Sequence, residues 1–417
     1  MTAQSNADAV VIGAGIVGVM AAHYLQNDGR KVLLVERDEV AAGASAGNAG
    51  ILAFPEIIPI PSPGIMFKAP KWLLDPLGPL SLPPAYALNM LPWLWRFWRA
   101  SSRKAFAHGI AVQTGMMHLA ASEMERVRAI AELQSFFTQT GTLDLYDSEA
   151  SFNAATPDWL EKEKAGFQFT SVGRADIERL QPGLAPQFRH AMYALAGIQV
   201  NDPQGLTRAV ADLVVARGGT LQKGEVRDIV PHAEGVTITL ADGTTIAART
   251  VVVAGGAWSK PLAARLGDRV PLETERGYNT TLPAQSFQLQ RQLYFNDHAF
   301  VVTPLAEGIR VGGAVELGGL ELAPNYRRSK ALLAKASRFL PELKTEGGRE
   351  WMGFRPSMPD CLPVIGRSSA SPSILYAFGH GHLGLTQSAA TGRLVSDLAA
   401  GRATSLPTEP FSPGRFR

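Results

Sequence analysis

A chain of 417 residues, 46% hydrophobic and 18% charged, is long enough for two globular domains with separate cores. Its net charge of +3 is too small and too dispersed to favour nucleic acid as a partner. Cys361 is the only cysteine and the eight histidines contain no HExxH pairing, so an intrachain disulfide and a cysteine-based metal site are excluded and no metal is expected.

The opening residues Met1–Asp8 have neither a basic n-region nor an apolar h-region, which points to a cytoplasmic or cytosol-facing location. No run approaches the ~20 apolar residues that span a bilayer. Residues 10–18 then read Val-Val-Ile-Gly-Ala-Gly-Ile-Val-Gly. A buried strand ends at Ile12. Gly13 permits a tight turn, Gly15 admits a pyrophosphate close to the backbone, and Gly18 lets the following helix pack against the strand. The helix opening near Ile16 and Val17 points its free N–H groups at that pyrophosphate. A second apolar run, Val32–Val35, ends at Glu36, 23 residues after Gly13, where a carboxylate can accept from ribose hydroxyls. This is a dinucleotide-binding start; alone it does not separate NAD from FAD.

The small-residue run Gly43–Gly50 cannot fill a core and reads as a loop wrapped around a ligand. Residues 54–84 are proline-rich and read as irregular loop. In 87–104, Leu91, Leu94, Trp95 and Trp98 make one apolar face beside Arg96, Arg99, Arg103 and Lys104. That face suits either the protein core or the headgroup boundary of a membrane. Residues 109–139 have helical spacing, and 141–200 read as short strands alternating with polar turns.

Leu206–Arg217 is an amphipathic helix ending at Gly218-Gly219. Strands follow near 225–231 and 235–240, with Asp242-Gly243 as a turn. Thr250–Ser259 is a buried strand running into a second glycine turn, Ala254-Gly255-Gly256. That block suits the longer flavin dinucleotide, with the adenine gripped at Val226. Residues 270–350 hold β segments and one helix near 326–339. Strand Ile374–Phe378 leads through Gly379-His380-Gly381-His382-Leu383-Gly384-Leu385-Thr386 into a helix reaching about Ala400. Those glycines admit a flat ring, and the helix end stabilises negative charge on a reduced flavin.

Five side-chain candidates remain. Arg355 lies between Phe354 and Pro356 in an interior-looking segment and needs an anion; its planar fork fits a carboxylate, although from the residues alone an internal salt bridge is the better reading. Tyr278 can donate to the same carboxylate or be an ordinary core tyrosine. Glu56 follows the Gly43–Gly50 loop and can face the same site, although a solvated loop carboxylate is the better reading. His380 and His382 can poise a proton or be structural turn residues.

These residues resemble the D-amino acid oxidase-like group of FAD-dependent oxidoreductases, bacterial D-amino acid dehydrogenases in particular. The resemblance covers nearly the whole chain. It is carried by Val11–Gly18, Ser45–Gly50, Lys68–Trp72, Ile309–Gly313, Trp351–Pro356, Pro359–Arg367 and Gly379–Gly384. The loop Ile51–Pro59 and residue Asn279 depart from the group's pattern, which leaves the preferred side chain open.

The resemblance implies an α/β fold: a Rossmann-type FAD-binding domain built from 1–53, 197–264 and 352–417. A discontinuous α+β substrate domain on a mixed antiparallel sheet would take 54–196 and 265–351. It implies non-covalent FAD contacted by Gly13, Gly15, Ile16, Val17, Gly18, Glu36, Arg37, Ser45, Asn48, Ala49, Gly50 and Ile51. Further contacts are expected from Val226, Ala254, Gly255, Trp258, Gly353, Gly379, His380, Gly381, Leu383, Gly384 and Thr386. It implies that Arg355 grips a substrate carboxylate with help from Tyr278, with His380 catalytic and with Glu56 and His382 lining the substrate site. The implied activity is oxidative deamination of a D-amino acid by hydride transfer to flavin N5, electrons passing to a quinone-type acceptor. The alternatives are oxidation of a secondary amine on the same scaffold and a non-catalytic electron-transfer flavoprotein subunit.

Overall fold

Strand Ala7–Ile12 buries Ala9, Val10 and Val11 completely, because a parallel sheet is covered on both faces. The computed structural model, which describes residues 7–66 and 80–416, places this strand between Val32–Glu36 and Thr245–Val253, parallel to both. Thr220–Lys223 adds to one side, parallel to Val32–Glu36. Thr245–Val253 pairs with the parallel strand Ile374–Phe378 and, through its first residues, with the antiparallel strand Gly235–Leu240. An eight-stranded sheet is thus assembled from three distant stretches of chain.

Helix Ile16–Asn27 is apolar nearly all round because it is sandwiched. The sheet lies on one side and helix Gly384–Ala400 on the other. The two helices approach so closely that a Cβ on Gly392 would stand 2.7 Å from a ring carbon of Tyr24. Helix Pro203–Ala216 starts as its sequence dictates: Asp202 accepts from Gly205 N at 2.8 Å, and Pro203 needs no N–H at the first position.

A second, nine-stranded sheet is mainly antiparallel. Near one edge, strand Glu273–Leu282 lies between Gly308–Glu316 and the edge strand Arg349–Ser357. Helix Arg327–Phe339 covers one face with Leu332, Ala336 and Phe339. A three-stranded sheet of Ile51–Leu52, Phe137–Gln139 and Ile198–Val200 ties the parts together. The α/β architecture is therefore a parallel nucleotide-type layer joined to a mixed antiparallel one.

Several expectations shift. Residues 141–200 contain helix Glu149–Lys164, capped at Ser148 by a reciprocal bond with Ser151, and the short helix Arg174–Leu180. The helix expected over 109–139 runs Arg103–Arg128. Its Met116, Ala120, Met124 and Val127 join the core of the first sheet's helical layer, although sequence order assigns them to the substrate domain. The expected boundary at 352 divides strand Arg349–Ser357, which belongs whole to the second sheet. Helix Ala87–Ala100 divides the residues of its apolar face between core and surface. Met90 and Trp93 are buried against Leu317, while Leu91, Trp95 and Trp98 are more than half exposed and Leu94 packs inward. The block Lys68–Trp72 lies outside the described residues. No helix among the described residues is long and apolar enough to cross a membrane.

The first turn is the tightest point of the fold. Gly13 has φ +102°, and a Cβ there would lie 2.6 Å from Ala254 O; a Cβ on Gly18 would lie 1.9 Å from Gly13 O. Gly18→Ala must push helix and turn apart. We expect a loss of about 2–3 kcal/mol in denaturant unfolding, the upper range for overpacking, together with weaker dinucleotide retention. Wild-type stability in that variant would contradict the close-packing account.

Candidate active site

Between the two sheets lies a cavity of about 890 Å³. Helix Ile16–Asn27 opens onto it at Gly15, which carries no side-chain cap, so the first-turn N–H groups face the cavity apart from Ile16 N, which Ser45 Oγ accepts at 2.9 Å. Helix Gly384–Ala400 opens onto the same cavity, again with no side-chain cap. Two positive helix ends in one cavity ask for a ligand that is anionic in two separated places. A flavin dinucleotide has that shape, with a diphosphate at one end and the N1–O2 edge of its ring at the other. The residues present fit it.

Along the first end run Gly13, Gly15, Ile16, Val17, Glu36, Arg37, Val226, Ala254, Gly255 and Trp258, all lining the cavity. Glu36 ends its strand with one carboxylate oxygen accepting from Ala14 N at 2.7 Å and the other from Asp38 N at 3.1 Å, which fixes it beside the turn. The Arg37 guanidinium lies 4.0 Å over the Trp258 ring, closing that side. At the other end, Ser45, Asn48, Ala49, Ile51, Gly353, His380, Gly381 and Gly384 line the wall. Asn48 holds its own loop, donating to Ser45 O at 3.1 Å and accepting from Gly50 N at 2.9 Å.

Five of the expected cofactor residues do not line the cavity and serve the scaffold. Gly18 packs on Gly13. Gly50 has φ +69° and no room for a Cβ against Gln199 and Val200, and Gly379 has φ +85° against Met358. Leu383 is buried with Ile57 and Met117, and Thr386 Oγ1 accepts from Ala53 N at 3.0 Å.

The strand alternation of the second sheet sorts the remaining candidates. Glu275, Gly277 and Asn279 share the face of Glu273–Leu282 toward the cavity; Tyr278 also borders the cavity, but its side chain and that of Arg276 reach Glu316 on the other face. Arg355 lies opposite Glu275 in the ladder, and its guanidinium rests on Gly277, where a Cβ would come within 2.4 Å of Nη2. Its Nη1 donates to Ala314 O at 3.1 Å. Burial pulls its pKa down, opposed by Glu275, but a guanidinium stays charged. Arg355 thus stands where a carboxylate can dock.

Tyr278 does not. Its hydroxyl donates to the Glu316 carboxylate and accepts from Asn325 N at 3.0 Å, and the residue is 1% exposed. Burial and the Glu316 contact push it up to about 12. With Arg276, which donates to Gly319 O at 2.9 Å and Ala323 O at 3.2 Å, it clamps the segment 319–325 on the far side of the sheet. The expected pairing of Tyr278 with Arg355 fails because adjacent strand residues face opposite sides.

His380 is 3% exposed and its Nε2 lies 2.9 Å from Thr391 Oγ1. That hydroxyl donates to Gln387 O, so His380 is the donor in its own contact. It anchors the glycine turn to the helix. His382 and Glu56 do line the cavity, and Glu56 opposes the lowering that burial imposes on His382.

Sequence reading passed over Glu275, Trp351 and Tyr294. Trp351 lies so close over Gly47 and Gly353 that a Cβ on either would enter its ring, which gives Gly353 a packing reason to be glycine. Tyr294 lies on the wall near Asp144, whose carboxyl burial raises to about 6.

Burial lowers His380 from the usual 6.5 to about 3. A histidine held neutral stabilises the fold fully above pH 6.5 and loses that contribution as pH falls toward 3. We expect stability to drop by about 2 kcal/mol between pH 7.5 and pH 5 from this group. His380→Gln, which retains an N–H donor, should flatten the slope; an unchanged slope in chemical denaturation would contradict the assignment.

The model of the family described as "DAO: FAD dependent oxidoreductase" matches residues 8–398. The chain is 34% identical to a D-amino-acid oxidase of Bradyrhizobium diazoefficiens, across 97% of this chain and 98% of the relative. It superimposes on glycine oxidase from Geobacillus kaustophilus with a TM-score of 0.77 at 23% identity, covering 98% and 99% of the two chains. L-proline dehydrogenase from P. horikoshii gives 0.75 at 20% identity, covering 99% and 98%. A cradle with two positive helix ends, an N-terminal glycine turn and a whole-length match agree: the chain belongs to the DAO family of FAD-dependent oxidoreductases.

Proposed function

We propose that this protein oxidises D-amino acids to keto acids and ammonia and passes the electrons to a quinone-type acceptor. The observation that carries the reading is Arg355, a guanidinium with one backbone partner, presented to the cavity on the rigid face of a sheet. The 34% identity to a D-amino-acid oxidase over almost the whole chain supports the same substrate class.

When bound, FAD supplies the acceptor for the hydride that leaves the substrate Cα. The chain's part is positioning and charge. Arg355 takes the carboxylate in a bidentate grip, which fixes the orientation of the Cα–H. The end of helix Gly384–Ala400 stabilises negative charge that develops beside it. Trp351 and Tyr294 narrow the cavity and exclude water. His382 sits at the same end, and burial holds it in the neutral form. No side-chain nucleophile is required, because the imino acid product hydrolyses in water.

Arg355→Ala should raise KM for the amino acid by about two orders of magnitude, the loss expected when one partner of a hydrogen-bonded charge pair is truncated, and leave the yellow flavin bound. Unchanged KM would remove Arg355 from the role. Anaerobic bleaching of wild-type flavin against D-amino acids, L-amino acids and N-methyl amines tests the class: D-amino acids should bleach it fastest. Faster bleaching by N-methyl amines would assign a secondary-amine oxidase.

The electron acceptor reading includes peripheral contact with the membrane through helix Ala87–Ala100. Leu88, Leu91, Trp95 and Trp98 are exposed by 80%, 57%, 51% and 56%, and Arg99 stacks 4.9 Å from the Trp95 ring. Aromatic side chains beside arginines suit an anionic headgroup boundary. Wild type should sediment with vesicles containing anionic lipid, and Trp95→Ser with Trp98→Ser should abolish it. A wild type that stays in the supernatant at low salt would contradict the docking.

A further inference from the structure

Glu275 has no part in the dinucleotide cradle. It is the direct ladder partner of Arg355, so the two side chains project from the same face of adjacent antiparallel strands, their Cβ atoms about 5 Å apart. Glu275 is 9% exposed and what remains exposed lines the cavity. Among the described residues its carboxylate has no hydrogen bond and no ion pair, and Arg355 forms none with any carboxylate. The neighbouring charges are engaged elsewhere: Arg276 and Glu316 pair with each other on the opposite face. Of the other groups at this end, Glu56 and His382 come from separate loops, and burial keeps the Cys361 thiol protonated.

A carboxylate and a guanidinium stand side by side on the cavity wall and attract each other, yet no hydrogen bond joins them, so the hydrogen-bonding capacity of both is open to a ligand. One ligand can bring the complementary charges to both. We propose that Glu275 receives the α-ammonium of the substrate while Arg355 receives its α-carboxylate. The inference rests on the amino-acid reading of the site and adds the group that recognises the amine. The two ends of an α-amino acid are separated by a single carbon, so one pair of cross-strand neighbours can hold both. A simple carboxylate cannot complete this pairing: it satisfies Arg355 and leaves its own charge against Glu275. The site therefore discriminates between an amino acid and its deaminated analogue by charge, with Glu275 as the repulsive element.

The test uses the intact flavin-loaded enzyme and two ligands, D-alanine and propionate. The dissociation constant of D-alanine is taken from the concentration dependence of anaerobic flavin reduction, and that of propionate from the flavin absorbance change on titration. Wild type should bind D-alanine at least about ten-fold more tightly than propionate. In Glu275→Gln the D-alanine constant should rise about ten-fold or more while the propionate constant falls. Glu275→Asp, which retains the charge, should keep the wild-type order. Opposite movement of the two constants is a signature that general loosening of the site does not produce. Constants that rise together, or stay within two-fold, overturn the assignment of Glu275 and leave the amino-acid reading in place. Propionate binding to wild type as tightly as D-alanine overturns it as well, without recourse to a variant. A wild type whose flavin no amino acid reduces overturns both.

Discussion

The structure depends on an unmet demand of the backbone. Two helices, Ile16–Asn27 and Gly384–Ala400, begin at the edge of one cavity without side-chain caps. Free N–H groups at a helix start cost stability unless something accepts from them, and each end carries about half a positive charge. Among the described residues, Ile16 N alone of these groups finds a side chain, Ser45. The rest is left for a ligand. The tight packing of Gly13, Gly18 and Ala254 keeps the first helix start in place, and His380 with Thr391 keeps the second. Uncapped helix starts thus stand where a dinucleotide would complete them.

The second sheet contributes selection by alternation. One strand, Glu273–Leu282, holds two different assemblies back to back. On the far face Arg276, Tyr278 and Glu316 clamp the segment before helix Arg327–Phe339. On the near face Gly277 makes room for the Arg355 guanidinium. The buried clamp makes the strand rigid, and the rigid strand fixes the guanidinium against a wall that cannot relax away. Positioning of that kind is what a reaction needing an aligned Cα–H requires.

How much of this was legible in sequence follows from which forces act locally. The turn at Gly13–Gly18 was readable because backbone geometry alone demands glycine there, and Glu36 because it ends the next strand. Arg355 was readable as an interior charge. Helix Glu149–Lys164 was missed: it buries only Trp159, so the apolar period that marks a helix is nearly absent, and Pro157 interrupts it. The true signal was the Ser148–Ser151 cap. Tyr278 was misplaced although the period of two was available; with Arg355 set against Gly277, its neighbour at 278 must face away. Glu275 carries no local signal, since its importance arises from ladder register with a strand about 80 residues later in the chain. Gly50 looks like a cofactor glycine in sequence and proves to be a packing glycine, because a missing Cβ does not say which neighbour needed the space.

The account is tested most directly by the electron density of a crystal of the flavin-loaded protein soaked with a D-amino acid analogue that cannot be oxidised. It predicts a non-covalent dinucleotide with its diphosphate at Gly15–Val17 and its ring between Asn48-Ala49 and Gly381–Gly384. It also predicts the analogue's carboxylate on the Arg355 guanidinium. A dinucleotide in another orientation, or an analogue whose carboxylate lies away from Arg355, would contradict it.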